Sequence, residues 1–264
     1  MGSGRWRSDP PAAKLLFMRC IRMTVQYDGT AYHGWQEQPG LATVQGVLAD
    51  RLATILGQRP ALEGASRTDA GVHALGQAAA FRTEHGIEAT RLEAALNSRL
   101  PADIAVAEVR EAPLDFSASR DAVGKHYRYR LWRGRAKPVL EARYVWHWYR
   151  PIEVEPMCRA AQHLVGRKDF RSFEGRGSSR EDTVREVKSL EVTEAGPEIH
   201  FDVEGDGFLY RMVRNLVGTL VEVGRGHHPP EWVAQVVEAA DRTAAGPTAP
   251  PHGLCLLTVR YGGE

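Results

Sequence analysis

The chain has 264 residues, 43% of them hydrophobic and 25% charged, with a formal net charge of +1. These figures describe a globular chain with room for one large core or two smaller ones, and they exclude a disordered chain and an indiscriminate polyanion binder. Cys20, Cys158 and Cys255 are odd in number and far apart, so neither a disulfide framework nor a Cys-x-x-Cys zinc site is available and a reducing cytoplasm is expected.

No apolar run approaches the roughly 20 residues of a membrane span, and residues 15–18 are too short for the apolar core of a signal peptide. Residues 1–17 mix Gly, Ser, Pro and Arg without periodicity. Residues 1–19 are therefore expected to be a flexible basic tail, with Met18 a candidate start. Ile21, Met23, Val25 and Tyr27 alternate with Arg22, Thr24 and Gln26, the pattern of a half-buried strand ending at Asp28-Gly29. Thr43 is placed to cap a helix whose apolar face is Val44, Val47, Leu48, Leu52, Ile55 and Leu56, closed by Gly57. Residues 61–65 and 75–82 read as strands, Thr90 and Glu93 as a capping box opening a helix, and residues 104–109 as another strand.

The second half repeats this order of elements. Residues 125–132 alternate with period two and are rich in aromatics, which is a strand. Pro156 marks a helix start, residues 184–192 and 199–203 read as two strands joined by Gly196-Pro197, and residues 208–223 carry helical spacing up to Gly224. Residues 232–239 suggest an additional helix and residues 254–261 a closing strand. The expected fold class is α+β, two ferredoxin-like βαββαβ halves (20–112 and 113–264) with antiparallel sheets flanking a central basic cleft. Lys125, Arg128, Arg130, Arg133, Arg135 and Lys137, interleaved with Tyr127, Tyr129 and Trp132, combine phosphate neutralisation with stacking surfaces and point to RNA; Lys125, Arg128 and Arg130 are the candidate backbone contacts. A solvated strand whose aromatics fill a core would carry the same pattern.

The stretch Gly64-Ala65-Ser66-Arg67-Thr68-Asp69-Ala70-Gly71-Val72-His73 places one carboxylate among small residues, beside an arginine, between two strands. A large planar group could approach Asp69 there, although such a tetrapeptide alone is as often a tight turn whose Asp caps its own backbone. Ser66-Arg67-Thr68-Asp69-Ala70-Gly71-Val72-His73 resembles the signature of the TruA family of tRNA pseudouridine synthases. The resemblance extends through Tyr27-Asp28-Gly29-Thr30, Gly34-Trp35-Gln36, Leu100-Pro101-Ala102-Asp103-Ile104-Ala105-Val106, Asp169-Phe170-Arg171-Ser172-Phe173 and Met212-Val213-Arg214-Asn215-Leu216-Val217-Gly218. It implies a homodimeric, cofactor-free enzyme with two ferredoxin-like halves that converts uridine to pseudouridine at about positions 38–40 of the tRNA anticodon stem-loop.

By match of motif, Asp69 resembles the nucleophile, Tyr127 an active-site tyrosine that supports the flipped uracil, Arg214 the arginine paired with the acid, and Arg67 a residue that holds the target nucleotide out of the stack. A carboxylate nucleophile suits a reaction that exchanges a C–N for a C–C glycosidic bond without a metal or redox carrier. No P-loop, dinucleotide fingerprint or metal-ligand spacing is found. Two residues depart from the family pattern: Ser66 stands where glycine is usual, and Ser119 where an arginine is usual, with Arg120 next to it. Two other functions fit less well. A non-catalytic RNA-binding module on RRM-like sheets lacks the aromatic run it would need, and a two-carboxylate glycosidase lacks a partner acid for Asp69.

Overall fold

The computed structural model describes residues 18–177 and 181–263. The expected tail therefore lies outside the described residues except for its last two positions, of which Arg19 already belongs to a strand. The fold is mixed α and β. The first half runs β1 (Arg19–Tyr27), α1 (Val44–Leu56), β2 (Glu63–Gly64), β3 (His73–Thr83), α2 (Ala89–Asn97) and β4 (Ile104–Ala112). The second runs β5 (Ala122–Arg133), β6 (Trp146–Trp148), α3 (Val154–Gln162), β7 (Gly166–Asp169), β8 (Val184–Ala195), β9 (Glu198–Gly205), α4 (Met212–Gly224), α5 (Trp232–Ala239) and β10 (Leu254–Tyr261).

Where separate sheets flanking a cleft were expected, the strands of both halves form one sheet in the order β4-β1-β3-β10-β5-β9-β8-β7, with β2 added to β3 and β6 to β5. The join is a short parallel pairing of β10 with β3, Cys255 opposite His73 and Leu256 opposite Ala74. Most other pairings are antiparallel, as hairpins and meanders allow. The helices bury their apolar faces against one side of this sheet. Ile21, Met23 and Val25 of β1 meet Leu48 and Leu52 of α1, while Tyr129, Leu131, Phe201 and Val203 meet Leu216 and Leu220 of α4 in the same cluster. On the other side Arg128, Arg130, His200 and Asp202 are only partly buried, as a two-residue period requires.

Several local expectations are corrected. The capping box does not form: Glu88 precedes α2 without a side-chain cap, and the Glu93 carboxylate instead accepts from the amide of Val109. The strand expected at residues 61–65 shrinks to Glu63–Gly64, because it is a short edge strand beside β3. The helix expected from residue 208 starts at Met212, and residues 206–211 become a loop. Thr43 does cap α1, its hydroxyl accepting from Gly46 N–H, and Gly57 ends it in the left-handed region at φ 72°. Among the described residues no helix is long and apolar enough to cross a membrane.

Candidate active site

The loop between β2 and β3 is fastened from several sides before it presents Asp69. Gln77, fully buried, acts as a surrogate backbone, its amide donating to Ser66 C=O at 2.6 Å and its oxygen accepting from Ser66 N–H at 3.1 Å. Thr68 bonds the hydroxyl of buried Tyr27 at 2.7 Å, and its carbonyl accepts from Trp35 N–H. Gly34, at φ 87°, lies so close that a Cβ there would meet Thr68 O at 2.5 Å. The Tyr27 and Gly34-Trp35 motifs, far away in sequence, thus serve the loop. Gly71 completes the turn at φ 77°.

Asp69 does not cap its own backbone. Its Oδ2 accepts from Arg214 Nη1 at 2.7 Å, with the two side chains only 15% and 11% exposed. Arg214 stands in the first turn of α4 and uses its Nε to hold the carbonyl of Ala249 at 2.8 Å. One guanidinium thereby fixes both the acid and the segment leading to β10, a fork that lysine could not reproduce. In this sheltered setting the contact is a charge-assisted hydrogen bond that fixes where the carboxylate points.

Tyr127, on β5, points to the same side. Its hydroxyl lies 2.7 Å from Ser66 Oγ, and its ring meets Phe208 edge-on at 5.4 Å. Burial, and after it the negative charge of Asp69, push the phenol well above its ordinary range, while the Ser66 hydrogen bond works the other way. Tyr127 therefore stays neutral, able to donate a proton but not to act as a phenolate. The hydroxyl at Ser66, where the family pattern has glycine, is what it bonds to.

These groups line a cavity of about 980 Å³ between the residue 61–69 segment and the residue 206–214 segment. Arg67 also lines it, exposed and with its side chain making no ion pair or hydrogen bond to another described residue. Lys125 reaches the cavity too, its Nζ bonded to Ala65 C=O at 2.8 Å. Arg128 and Arg130 do not. Period-two alternation sends them through the sheet to the opposite face, where Arg128 pairs with Asp202 at 3.0 Å and Arg130 with Glu198 at 2.6 Å. The basic row read from the sequence is thus split, and only Lys125 and Tyr127 of this stretch face the cleft. Tyr129 is fully buried, donating to Pro250 C=O, so it offers no stacking surface. Ser119 lines the cavity, whereas Arg120 turns to Asp121 and Asp115 C=O and does not replace the missing arginine.

His73 proves to be a positioning residue of the fold and does not line the Asp69 cavity. Its Nδ1 accepts from Gly29 N–H at 3.1 Å, which leaves Nε2 to donate to Arg143 C=O at 3.0 Å. Gln77 could have been suspected from sequence, since an amide inside an otherwise apolar strand is buried only with partners. Phe208 carried no such signal. Among the described residues no group of three or more His, Cys, Asp or Glu side chains is arranged to hold a metal ion.

The family model described as tRNA pseudouridine synthase matches residues 23–119 and 160–262. Among curated proteins the chain is similar to tRNA pseudouridine synthase A of Geobacter sp. (strain M21), with 44% identity covering 92% of this chain and 99% of the relative. It is 47% identical to tRNA pseudouridine synthase A of Moorella thermoacetica over 92% of this chain and 100% of the relative. The protein of that name from Geobacter sulfurreducens is 45% identical over the same shares.

Proposed function

Because this chain belongs to the tRNA pseudouridine synthase family and is an isomerase that makes pseudouridine from uridine in tRNA, we propose that Asp69 is its nucleophile and that the targets are uridines near positions 38–40 of the anticodon stem-loop. The carrying observation is the 2.7 Å contact of Asp69 with Arg214 at the floor of a cavity walled by both halves. The reaction breaks the bond from C1′ to N1, forms one from C1′ to C5, returns a proton to N1 and removes one from C5. An ionised carboxylate beside C1′ divides this exchange into two easier steps and needs no external reactant.

The residues share the remaining work. Arg214 holds the carboxylate aimed, Tyr127 supports the extruded uracil and can donate from its neutral hydroxyl, and Arg67, free to reorient, holds the flipped nucleotide. Lys125 adds a positive charge at the wall for the RNA backbone. Each half is read as a ferredoxin-like unit, with residues 20–112 and 113–264 as the two domains; strand orders of β4-β1-β3 and β10-β5-β9-β8 support this. The chain is read as a cytoplasmic homodimer working without a cofactor, with the face of the sheet opposite the described helices, where Leu75 is 56% exposed, as the surface for a second copy.

The deciding experiment is incubation with unmodified tRNA followed by carbodiimide mapping of pseudouridine. Asp69→Asn is expected to give no product while binding tRNA within a few-fold of the parent, since affinity comes mainly from phosphate contacts. Substantial product from that variant rejects Asp69 as nucleophile, and product at other positions rejects the anticodon assignment.

A further inference from the structure

Most arginines around the catalytic cavity already have partners. Arg214 holds Asp69 and Ala249 C=O, and Arg82 donates to the carbonyls of Leu114 and Phe116. Next to that cavity lies a smaller one of about 400 Å³, into which Arg176, Arg211 and Arg242 all face. Among the described residues no carboxylate lines it.

Arg242 is oriented without being neutralised. Its Nη2 donates to Asn215 Oδ1 and Thr248 Oγ1, both at 3.1 Å, and its Nη1 to Ala245 C=O at 3.4 Å, all uncharged acceptors. Burial, and then the like charge of Arg176, hold its guanidinium below the ordinary arginine range. Asp241 is near enough to feel Arg176, but its exposed carboxylate caps Thr243 and stays out of the cavity wall. The side chains of Arg176 and Arg211 make no ion pair or hydrogen bond to another described residue; Arg211 lies over the Tyr210 ring at 4.7 Å. Three converging cations without a matching acid form an arrangement that an anion relieves, and guanidinium forks suit phosphate oxygens.

The two cavities adjoin. Arg211 lines both, three residues before Arg214, and Gly175 of the smaller cavity donates its N–H to the C=O of Tyr210 of the larger at 2.7 Å. Arg211 also occupies the left-handed region at φ 57°, which a side chain adopts at a cost and which clusters at functional sites. We propose that the cavity of Arg176, Arg211 and Arg242 holds a phosphodiester of the substrate RNA flanking the nucleotide in the Asp69 cleft. This rests on the tRNA reading of that cleft.

The test is the double variant Arg176→Gln, Arg211→Asn, in which asparagine tolerates the left-handed backbone. Arg242 is left intact because its bonds to Asn215 and Thr248 are structural. An unchanged melting transition establishes the fold. The expected result is a log–log salt slope of tRNA binding smaller by about 0.7–0.9 for each phosphate that is no longer neutralised. With it the KM for tRNA rises about tenfold, the size of one missing charge-assisted bond. An unchanged slope and KM overturn the proposal.

Inorganic phosphate at constant ionic strength supplies the second arm. It is expected to raise the KM of the parent protein and not that of the double variant. Phosphate that raises the parent's melting temperature without altering KM assigns the cavity to a free anion and overturns the RNA assignment. Binding slopes are read without turnover, so absence of pseudouridine formation in the parent strikes the reading of the Asp69 cleft while the slope still decides this cavity.

Discussion

Arg214 Nη1 donates to Asp69 Oδ2 at 2.7 Å across 145 residues of sequence, tying the first turn of α4 in one half to the β2–β3 loop of the other. Because the same guanidinium also holds Ala249 C=O, its geometry matters as much as its charge. Arg214→Lys keeps the charge but loses the planar fork whose Nε and Nη1 are spaced for the two acceptors. The expected outcome is a drop of at least about tenfold in single-turnover rate, with a melting temperature lowered by a few degrees. Retention of full activity would show that the charge alone suffices.

Tyr127 separates stacking from proton transfer. Its ring can support a base, a contribution of about 1–3 kcal/mol, whereas its hydroxyl, held neutral by burial and by Asp69, can give up a proton but is not a ready-made phenolate base. Tyr127→Phe is expected to bind tRNA nearly normally but to turn over at least about tenfold more slowly, below the usual range for acid–base help. Tyr127→Ala should lose binding of the target base as well. Equal single-turnover rates for Tyr127→Phe and the parent would demote the hydroxyl to a hydrogen-bond partner of Ser66.

Arg128 and Arg130 provide a test of the sheet's two faces. Both are paired with carboxylates on the side away from Asp69, so their charges are already compensated. The double variant Arg128→Gln, Arg130→Gln should leave the log–log salt slope of tRNA binding unchanged, while leaving Asp202 and Glu198 without these arginine partners and lowering the melting temperature. A shallower slope would put this face on the RNA.

His73 makes stability depend on pH. Burial is the main cause of its depressed pKa, with Asp28, at 3.1 Å, acting in the opposite direction; Tyr144 packs edge-on against the ring and His252 lies nearby. Below its ordinary value of 6.5 the unfolded chain takes up a proton that folded His73 resists. Its contribution is thus complete above that pH and is lost as the pH falls through the folded value. Melting temperature measured between about pH 5 and 8 should fall on the acid side for the parent and fall less for His73→Asn. Equal slopes would exclude His73 as a source of the acid sensitivity.

The sequence alone determined the elements whose pattern is local, and it offered Asp69 through motif. Alternation in β1 and β5, the Thr43 cap and Gly57 stop of α1, and the small residues around Asp69 all express short-range sterics and burial. It did not determine which way residues 125–130 faced. Only pairing of β5 between β9 and β10 decides which side of the strand meets the helices, and that choice sent Lys125 and Tyr127 to the cleft and Arg128 and Arg130 away from it. Elements without periodicity, β6 and β7, were invisible because they are short and exist through their partners. The union of both halves through β3 and β10, the Gln77 clasp on Ser66 and the gathering of Arg176, Arg211 and Arg242 depend on contacts between distant segments. Residue spacing along the chain carries no record of such contacts, because they form only when burial of the shared core fixes where each segment lies.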